Sequence, residues 1–420
     1  MKVYLDYGDG RLEVDLPDDA TVIEPQETKP LRDPAAALLR ALREPISGPP
    51  LHELVRPGDR VAISVCDGTR PQPREVMLGA ILSELTDHGA AEDVTVLIAS
   101  GTHRLGTSDE IRTMLGEEVL RRCQVICHDC RETGQLLPMG TVAGDVPVAL
   151  NRTWVEADVR ISLGLMEPHS FAGFSGGPKM IAPGLAALET VLALHNARRI
   201  GDPRATWGVV EGNPVHDAIR ATAATAPPAF SVDVLLDSRQ RITHVFSGEL
   251  FAMHARACEV ARRLTMRRVP RRFPLVITSS SGYPLDQNLQ QALKGVSAAA
   301  EIVTDGGTIV CAAECRNGLP NEQLYTGVLQ VSEDIRDAHA RILKADSVIP
   351  DQWQVQLQAQ VQERARVLVK TYGVTPAQLR VAHLEGMDDI NAFVRTELER
   401  NPTLPIAVLP SGSQCIPFVG

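Results

Sequence analysis

The stretch 169–184, "HSFAGFSGGPKMIAPG", places His169 ten residues ahead of Lys179, with two glycines just before that lysine. A lysine behind glycines suits a phosphate loop, but G-x-x-x-x-G-K-[ST] needs a hydroxyl on the next residue to reach magnesium. Met180 stands there, and Pro178 removes a backbone N–H that would face phosphate. No G-x-G-x-x-G opens a helix after a strand, so a dinucleotide fingerprint is absent as well. A nucleotide triphosphatase is thereby excluded. A lysine on a Gly-rich loop without magnesium machinery reads as a covalent or point-charge residue, for example a Schiff base to a carbonyl compound. Ser175, Gly176 and Gly177 offer hydroxyl and N–H donors for an anionic group beside it.

Three of the 11 histidines fall near such positions: His103 in "SGTHR", His169 in "EPHS" and His195 in "LETVLALHNARR". His103 and His169 directly follow apolar runs, where acid–base catalysis or ligation is the favoured reading. His195 lies in a helical pattern and suits a core histidine equally well, although a neutral imidazole also binds nickel, zinc or copper. Gln287, Gln291 and Lys294 recur at spacings of four and three, which puts them on one helix face. Such a face suits a carboxylate or phosphate, or only solvent. The cluster "CQVICHDC" supplies Cys123, Cys127, His128 and Cys130, but no second pair follows. It reads as a strand running into a turn rather than as a zinc site.

The elements that must position these groups alternate in type. "RVAISVC" (60–66) ends in "DGTRPQP", "DVTVLIAS" (93–100) ends in "GTHR", and "VRISLGLM" (159–166) ends in "EPHSFAGFSGG". Amphipathic stretches such as "EVMLGAILSELTDHG" and "SDEIRTMLGEEVL" follow the first two. Strand, polar loop and helix in repetition predict a parallel α/β sheet. Ligands of such sheets bind beyond the carboxyl ends of the strands. Asp67, Arg70, His103, His169 and Lys179 are therefore expected at one edge. A second α/β unit begins after "ARRLTMRRVPRR" (261–272), with strands in "FPLVITSSSG" and "DGGTIVCAAEC" and a long helix over 351–373. The last residues, "LPIAVLPSGSQCIPFVG", read as a strand returning to the first domain. The expected architecture is two α/β domains with a cleft between them. One is an N-terminal cofactor-binding domain over 1–268 plus 396–420, and the other a smaller C-terminal domain over 272–395.

Composition narrows the function classes. The chain has 420 residues, 44% hydrophobic and 22% charged, with a net charge of −10. That acidic balance argues against nucleic acid as a partner, and the basic run at 261–272 reads as a helix end and linker. No apolar run is long enough to span a membrane, and the N-terminus reads as a hairpin without a signal-peptide core, which predicts a cytoplasmic protein.

In combination, "DGTRP" (67–71), "GTHR" (101–104), "PHSFAGFSGGPK" (168–179), "LHN" (194–196), "GYPLDQN" with "QALK" (282–294) and "DQWQ" (351–354) resemble the nickel-dependent lactate racemases, over nearly the whole chain. The resemblance implies an isomerase acting on a small 2-hydroxy acid through a nickel-pincer nucleotide, a pyridinium mononucleotide with two sulfur-bearing arms. It implies that Lys179 carries this cofactor through a thioamide, that His195 ligates nickel, and that His103 and His169 are the acid–base pair. It places Thr69, Ser175, Gly176 and Gly177 at the cofactor, and Asp67, Arg70, Gln291, Lys294 and Trp353 at the substrate. It implies dependence on cofactor-assembly enzymes. One departure is Gln290, which stands where lactate-specific members carry an aromatic residue, and it suggests a longer or more polar substrate. A zinc hydrolase or lyase using the three histidines, and a non-catalytic hydroxy-acid or nucleotide binder, are the alternatives.

Overall fold

The structure is a computed structural model and describes residues 1–319, 325–345 and 347–420. The Arg60–Cys66 strand is buried at every position but its first. Such a run needs cover on both faces, which a parallel sheet flanked by helices supplies. It sits inside a six-stranded sheet ordered Ile242–Gly248, Phe230–Leu236, Val159–Leu165, Arg60–Cys66, Asp93–Ala99, Gln124–Cys127. Only the Phe230–Leu236 and Ile242–Gly248 pair is antiparallel. The chain steps outward from Arg60–Cys66 to Asp93–Ala99 and Gln124–Cys127, then returns to the opposite side through Val159–Leu165. The loops after Arg60–Cys66 and Val159–Leu165 therefore diverge at a reversal of strand order, the place where a crevice opens in a doubly wound sheet. This sheet belongs to a compact unit of Glu27–His195 and Asp202–Arg262.

The other unit consists of Met1–Gln26, Asn196–Gly201 and Arg263–Gly420. Its parallel sheet runs Glu385–Gly386, Arg366–Lys370, Val303–Ala312, Phe273–Ser279, Ile406–Leu409, Thr21–Val22. The N-terminal hairpin, Lys2–Tyr7 with Gly10–Asp15, forms as expected. Its apolar face (Val3, Leu5, Val14, Leu16) packs on Leu275, Ile277, Val310 and Leu368 of this same sheet. So the chain divides differently from the expected 1–268 plus 396–420. Residues 1–26 and the terminal strand Ile406–Leu409 both belong with the C-terminal sheet, where Ile406–Leu409 pairs with Phe273–Ser279 and Thr21–Val22. The cause is the terminal run itself. "IAVL" is buried at all four positions, and an apolar run of that kind needs cover on both faces, which the interior of a parallel sheet supplies.

Two further expectations are corrected. The long helix over 351–373 stops at Gln362, and Arg366–Lys370 is a strand in the sheet interior, as "RVLVK" with its β-branched residues favours. The helix expected to carry Gln287, Gln291 and Lys294 starts at Leu289, capped by the Asn288 side chain, so Gln287 lies outside its face. The basic run at 261–272 ends a helix, adds the strand Met266–Val269, and turns several of its arginines onto backbone oxygens. Arg267 donates to Glu24 O at 2.9 Å and Arg272 to Glu301 O at 3.0 Å. Among the described residues, no helix is long and apolar enough to cross a membrane.

Candidate active site

The first loop is held from beneath by two buried side chains that the sequence did not single out. Gln72 accepts from Cys66 N at 2.8 Å and donates to Leu163 O at 2.7 Å, which ties the loop to the adjacent strand. Arg74 donates to the carbonyls of Cys66 (2.8 Å), Gln72 (3.0 Å), Arg70 (2.8 Å) and Asp67. One guanidinium thus satisfies four carbonyls of a tight loop and fixes the direction of the side chains leaving it.

Asp67, the first residue after its strand, meets His103 from the loop after the next strand. Asp67 Oδ2 is 2.6 Å from His103 Nδ1, and Oδ1 accepts from the Thr69 hydroxyl at 2.5 Å. Burial opposes the charge on this carboxyl, but His103, Arg70 and the Thr69 hydroxyl outweigh it and hold its pKa below the usual carboxylate range. Asp67 and Thr69 thus each have a partner within the protein. Arg70 lies 3.7 Å from Glu167, which directly follows the third strand. Glu167 was visible in "EPHS" and obeyed the same after-strand rule as its neighbours.

His169 is placed by a two-residue antiparallel bridge in which it pairs with Gly173. Its Nδ1 accepts from Ala172 N at 3.3 Å and Phe171 N at 3.5 Å, and its Nε2 lies 3.0 Å from Lys179 Nζ. That pattern assigns the ring proton to Nε2, so Lys179 must offer a lone pair. Burial first, and the nearby Arg70 charge second, bring the Lys179 amine down to about 7. Both observations describe a free-base, nucleophilic amine. An amine-acylating reagent is expected to label Lys179 with a rate that rises with pH and is half-maximal near pH 7, read by peptide mapping. Exposed lysines keep rising toward about pH 10, and a Lys179 profile like theirs would contradict the assignment.

His195 caps the C-terminus of the Leu188–Leu194 helix and is buried. Its Nδ1–H donates to Val191 O at 2.8 Å, which puts the lone pair on Nε2. Burial, and then the charge of Lys179 when that amine is protonated, lower its pKa to about 3, so the ring stays neutral. A neutral imidazole with a fixed tautomer is the form that ligates a transition metal. Phe171 links the groups, with its ring centroid 4.5 Å from that of His169 and 5.3 Å from that of His195, each edge-on.

The glycines answer to packing. Gly176 and Gly177 both have positive φ, and a Cβ on them would collide with Asp233 and with the His254 ring respectively. The space they leave is filled by protein, and Gly177 N donates to Asp233 Oδ2 at 2.8 Å. The Ser175 hydroxyl is also engaged, donating to Leu165 O at 2.6 Å and accepting from Glu167 N at 2.9 Å. Ser175 and Gly177 thus place the lysine by bonds within the protein. Gly177→Ala is expected to lower stability by about 1–3 kcal/mol through strain and collision, measured by chemical denaturation. A neutral substitution would mean that the loop repacks freely.

Gln291, Lys294 and Trp353 belong to the other compact unit. Gln291 is buried near the start of the Leu289–Ala300 helix, Lys294 is half-buried on it, and Trp353 is buried in Gln352–Gln362. The buried Gln291 Oε1 has no hydrogen-bond partner. His128 uses both ring nitrogens, on Ala186 O at 3.0 Å and Asn151 Nδ2 at 3.2 Å. Among the described residues, His103, His169 and His195 do not gather into a group of three metal ligands.

A doubly wound α/β unit that presents an Asp–His pair, a second histidine against a free-base lysine and a neutral, anchored imidazole at its strand-order reversal is built for enzyme chemistry on a small molecule. Comparison with known proteins gives the class. Residues 7–208 match the family model described as "Lactate racemase N-terminal domain", and 270–416 match "Lactate racemase C-terminal domain". The chain belongs to the lactate racemase family and is an isomerase of the racemase type. It is 35% identical to the lactate racemase of Thermoanaerobacterium thermosaccharolyticum over 99% of this chain and 98% of that one. It is 30% identical to the lactate racemase of Lactiplantibacillus plantarum, over 89% and 88% of the two chains. The solved structure of the Thermoanaerobacterium thermosaccharolyticum lactate racemase apoprotein superposes with a TM-score of 0.92 at 32% identity, covering 99% of this chain and 100% of that one. A Thermotoga maritima protein shares the fold, with a TM-score of 0.72 at 20% identity over 92% and 98% of the chains.

Proposed function

We propose that the chain interconverts the two hands of a small 2-hydroxy acid by reversible hydride transfer, with a nickel-pincer nucleotide joined to Lys179. The observation that carries this reading is the Lys179 amine, held as a free base beside His169. Attachment of an activated acyl group to lysine needs that state. His195 fits the metal, since its tautomer leaves Nε2 as a donor. When bound, the nickel-pincer nucleotide supplies the hydride acceptor and donor.

The protein's own residues supply the rest. Removing a proton from the carbon beside a carboxylate would place a second negative charge next to the first. Removing hydride instead, while a base takes the hydroxyl proton, gives a neutral ketone beside that carboxylate. The hydroxyl lies on opposite sides in the two enantiomers, so two bases are required. His103 is one, with Asp67 holding Nδ1–H and leaving Nε2 to take the proton. His169 is the other. Acylation of Lys179 removes its amine lone pair, so the ring proton no longer has a partner at Nε2; with that proton on Nδ1, His169 Nε2 carries the lone pair that takes the substrate proton. Arg70 offers a planar fork for the carboxylate. Substrate contact is also the proposed role of Gln291, Lys294 and Trp353. Gln290 in place of an aromatic residue favours an acid longer or more polar than lactate.

The test uses protein produced with the cofactor-assembly enzymes and a panel of single-enantiomer 2-hydroxy acids deuterated at C2. Racemisation with the deuterium kept in the product is expected for at least one acid. Washout of the label into water would replace hydride transfer by proton abstraction, and no racemisation of any acid would remove the reading.

A further inference from the structure

A second constellation of ligating side chains lies away from this site. The Arg74–Asp87 helix begins at the loop that Arg74 clamps and rises about 1.5 Å per residue, so Glu84 and His88 stand near its far end. Glu84 is fully buried. Its Oε2 accepts from Arg43 Nε at 2.9 Å, whereas its Oε1 is buried with no hydrogen-bond partner. His52, from the short helix Leu51–Leu54, brings its Nδ1 to 3.4 Å from that oxygen, and this nitrogen is likewise buried without a hydrogen-bond partner. A carboxylate oxygen and an imidazole nitrogen are thus aimed at one spot without bonding each other. Leaving both unsatisfied is costly.

His88 completes the set from four residues beyond Glu84. Its Nδ1–H donates to Glu84 O at 2.9 Å, which puts the lone pair on Nε2, the backbone-anchored tautomer typical of a ligating histidine. The rings of His52 and His88 stack at 4.8 Å with 17° between their planes. One ligand atom from each of the three residues lies within 4.8 Å of the others, and among the described residues no other such cluster of His, Cys, Asp and Glu forms. Ligand atoms bound tetrahedrally to zinc at about 2.0–2.1 Å lie roughly 3.3 Å apart. The His52–Glu84 separation of 3.4 Å already has this value; the third ligand atom lies within 4.8 Å of these two, and the His88 ring, nearly parallel to that of His52, must turn to direct its lone pair at the same point.

We propose that His52, Glu84 and His88 bind one divalent zinc ion, with water in the fourth position, tying the Leu51–Leu54 helix to the end of the Arg74–Asp87 helix. Two imidazoles and one carboxylate are a donor set that suits zinc. Arg43 is a positioning residue that holds the second carboxylate oxygen, as outer-shell partners of metal sites do. This proposal is independent of the racemase mechanism.

The test uses the full chain carrying His195→Ala, which removes the other expected metal ligand, stripped with a chelator and titrated with zinc chloride by calorimetry. One equivalent is expected to bind and to remain through gel filtration. Adding His88→Gln, or separately His52→Gln, should lose that equivalent while circular dichroism stays unchanged. If one variant misfolds, the other supplies the answer. No zinc uptake by the His195→Ala chain, or full uptake with either histidine replaced, would overturn the proposal and leave the cluster as an Arg43–Glu84–His52 ion network.

Discussion

Lys179→Ala is expected to abolish covalent loading and to reduce racemisation by about 10³-fold or more. A tether converts an encounter into an intramolecular step, and effective molarities for such steps reach about 10⁵–10⁸ M. The readout is twofold. Intact mass of protein made with the assembly enzymes should show an adduct on the parent chain and none on the variant, and chiral chromatography should show no inversion. Lys179→Arg should behave like the alanine variant, because guanidinium keeps its charge and is not a nucleophile. An adduct that survives in Lys179→Ala would move the attachment elsewhere. Activity retained in Lys179→Arg but lost in Lys179→Ala, with no adduct on either, would make the lysine a point charge.

His103→Ala and His169→Ala should each keep the adduct and lose about 10²–10⁴-fold in racemisation, the usual worth of a positioned acid or base. The more telling measurement is a single turnover from each pure enantiomer with the keto acid trapped. Either variant retains one base, so each should release keto acid from one hand of the substrate, and the two variants should prefer opposite hands. Equal loss on both hands in either variant would break the two-base assignment. Asp67 bears on this result through His103. Its carboxyl, held below the usual range, stays ionised throughout the neutral region and keeps the ring in one tautomer. Asp67→Asn should therefore resemble a weakened His103→Ala.

Much of this site was legible before the fold was known. Asp67, Arg70, His103 and His169 each follow an apolar strand-like run, and a parallel sheet sends every such loop to the same edge. Lys179 was marked by what its neighbours lack. The residues that hold these groups were not legible. Gln72, Arg74, Asp233 and His254 carry no local mark, because a buried polar residue looks like an exposed one until its partners are known. The Cys66, Gln72, Arg70 and Asp67 carbonyls that Arg74 collects, and the Gly176 and Gly177 faces that Asp233 and His254 fill, arise only when the chain closes on itself.

The amino-acid sequence alone determined the alternation of strand, loop and helix, the set of reactive side chains at the strand ends and, through its motifs, the family. These follow from periodicity and residue chemistry within short windows. Tertiary structure decided which side chains are paired and which sheet each strand joins. Burial and Arg70 together bring the Lys179 amine down to about 7, the Val191 carbonyl fixes the His195 tautomer, and Asp67 turns to His103. The terminal strand Ile406–Leu409 lies beside Phe273–Ser279 because that is where its two buried faces and its backbone bonds are satisfied together. Charge state, tautomer and sheet membership depend on desolvation and on partners distant in sequence, and only the folded chain supplies either.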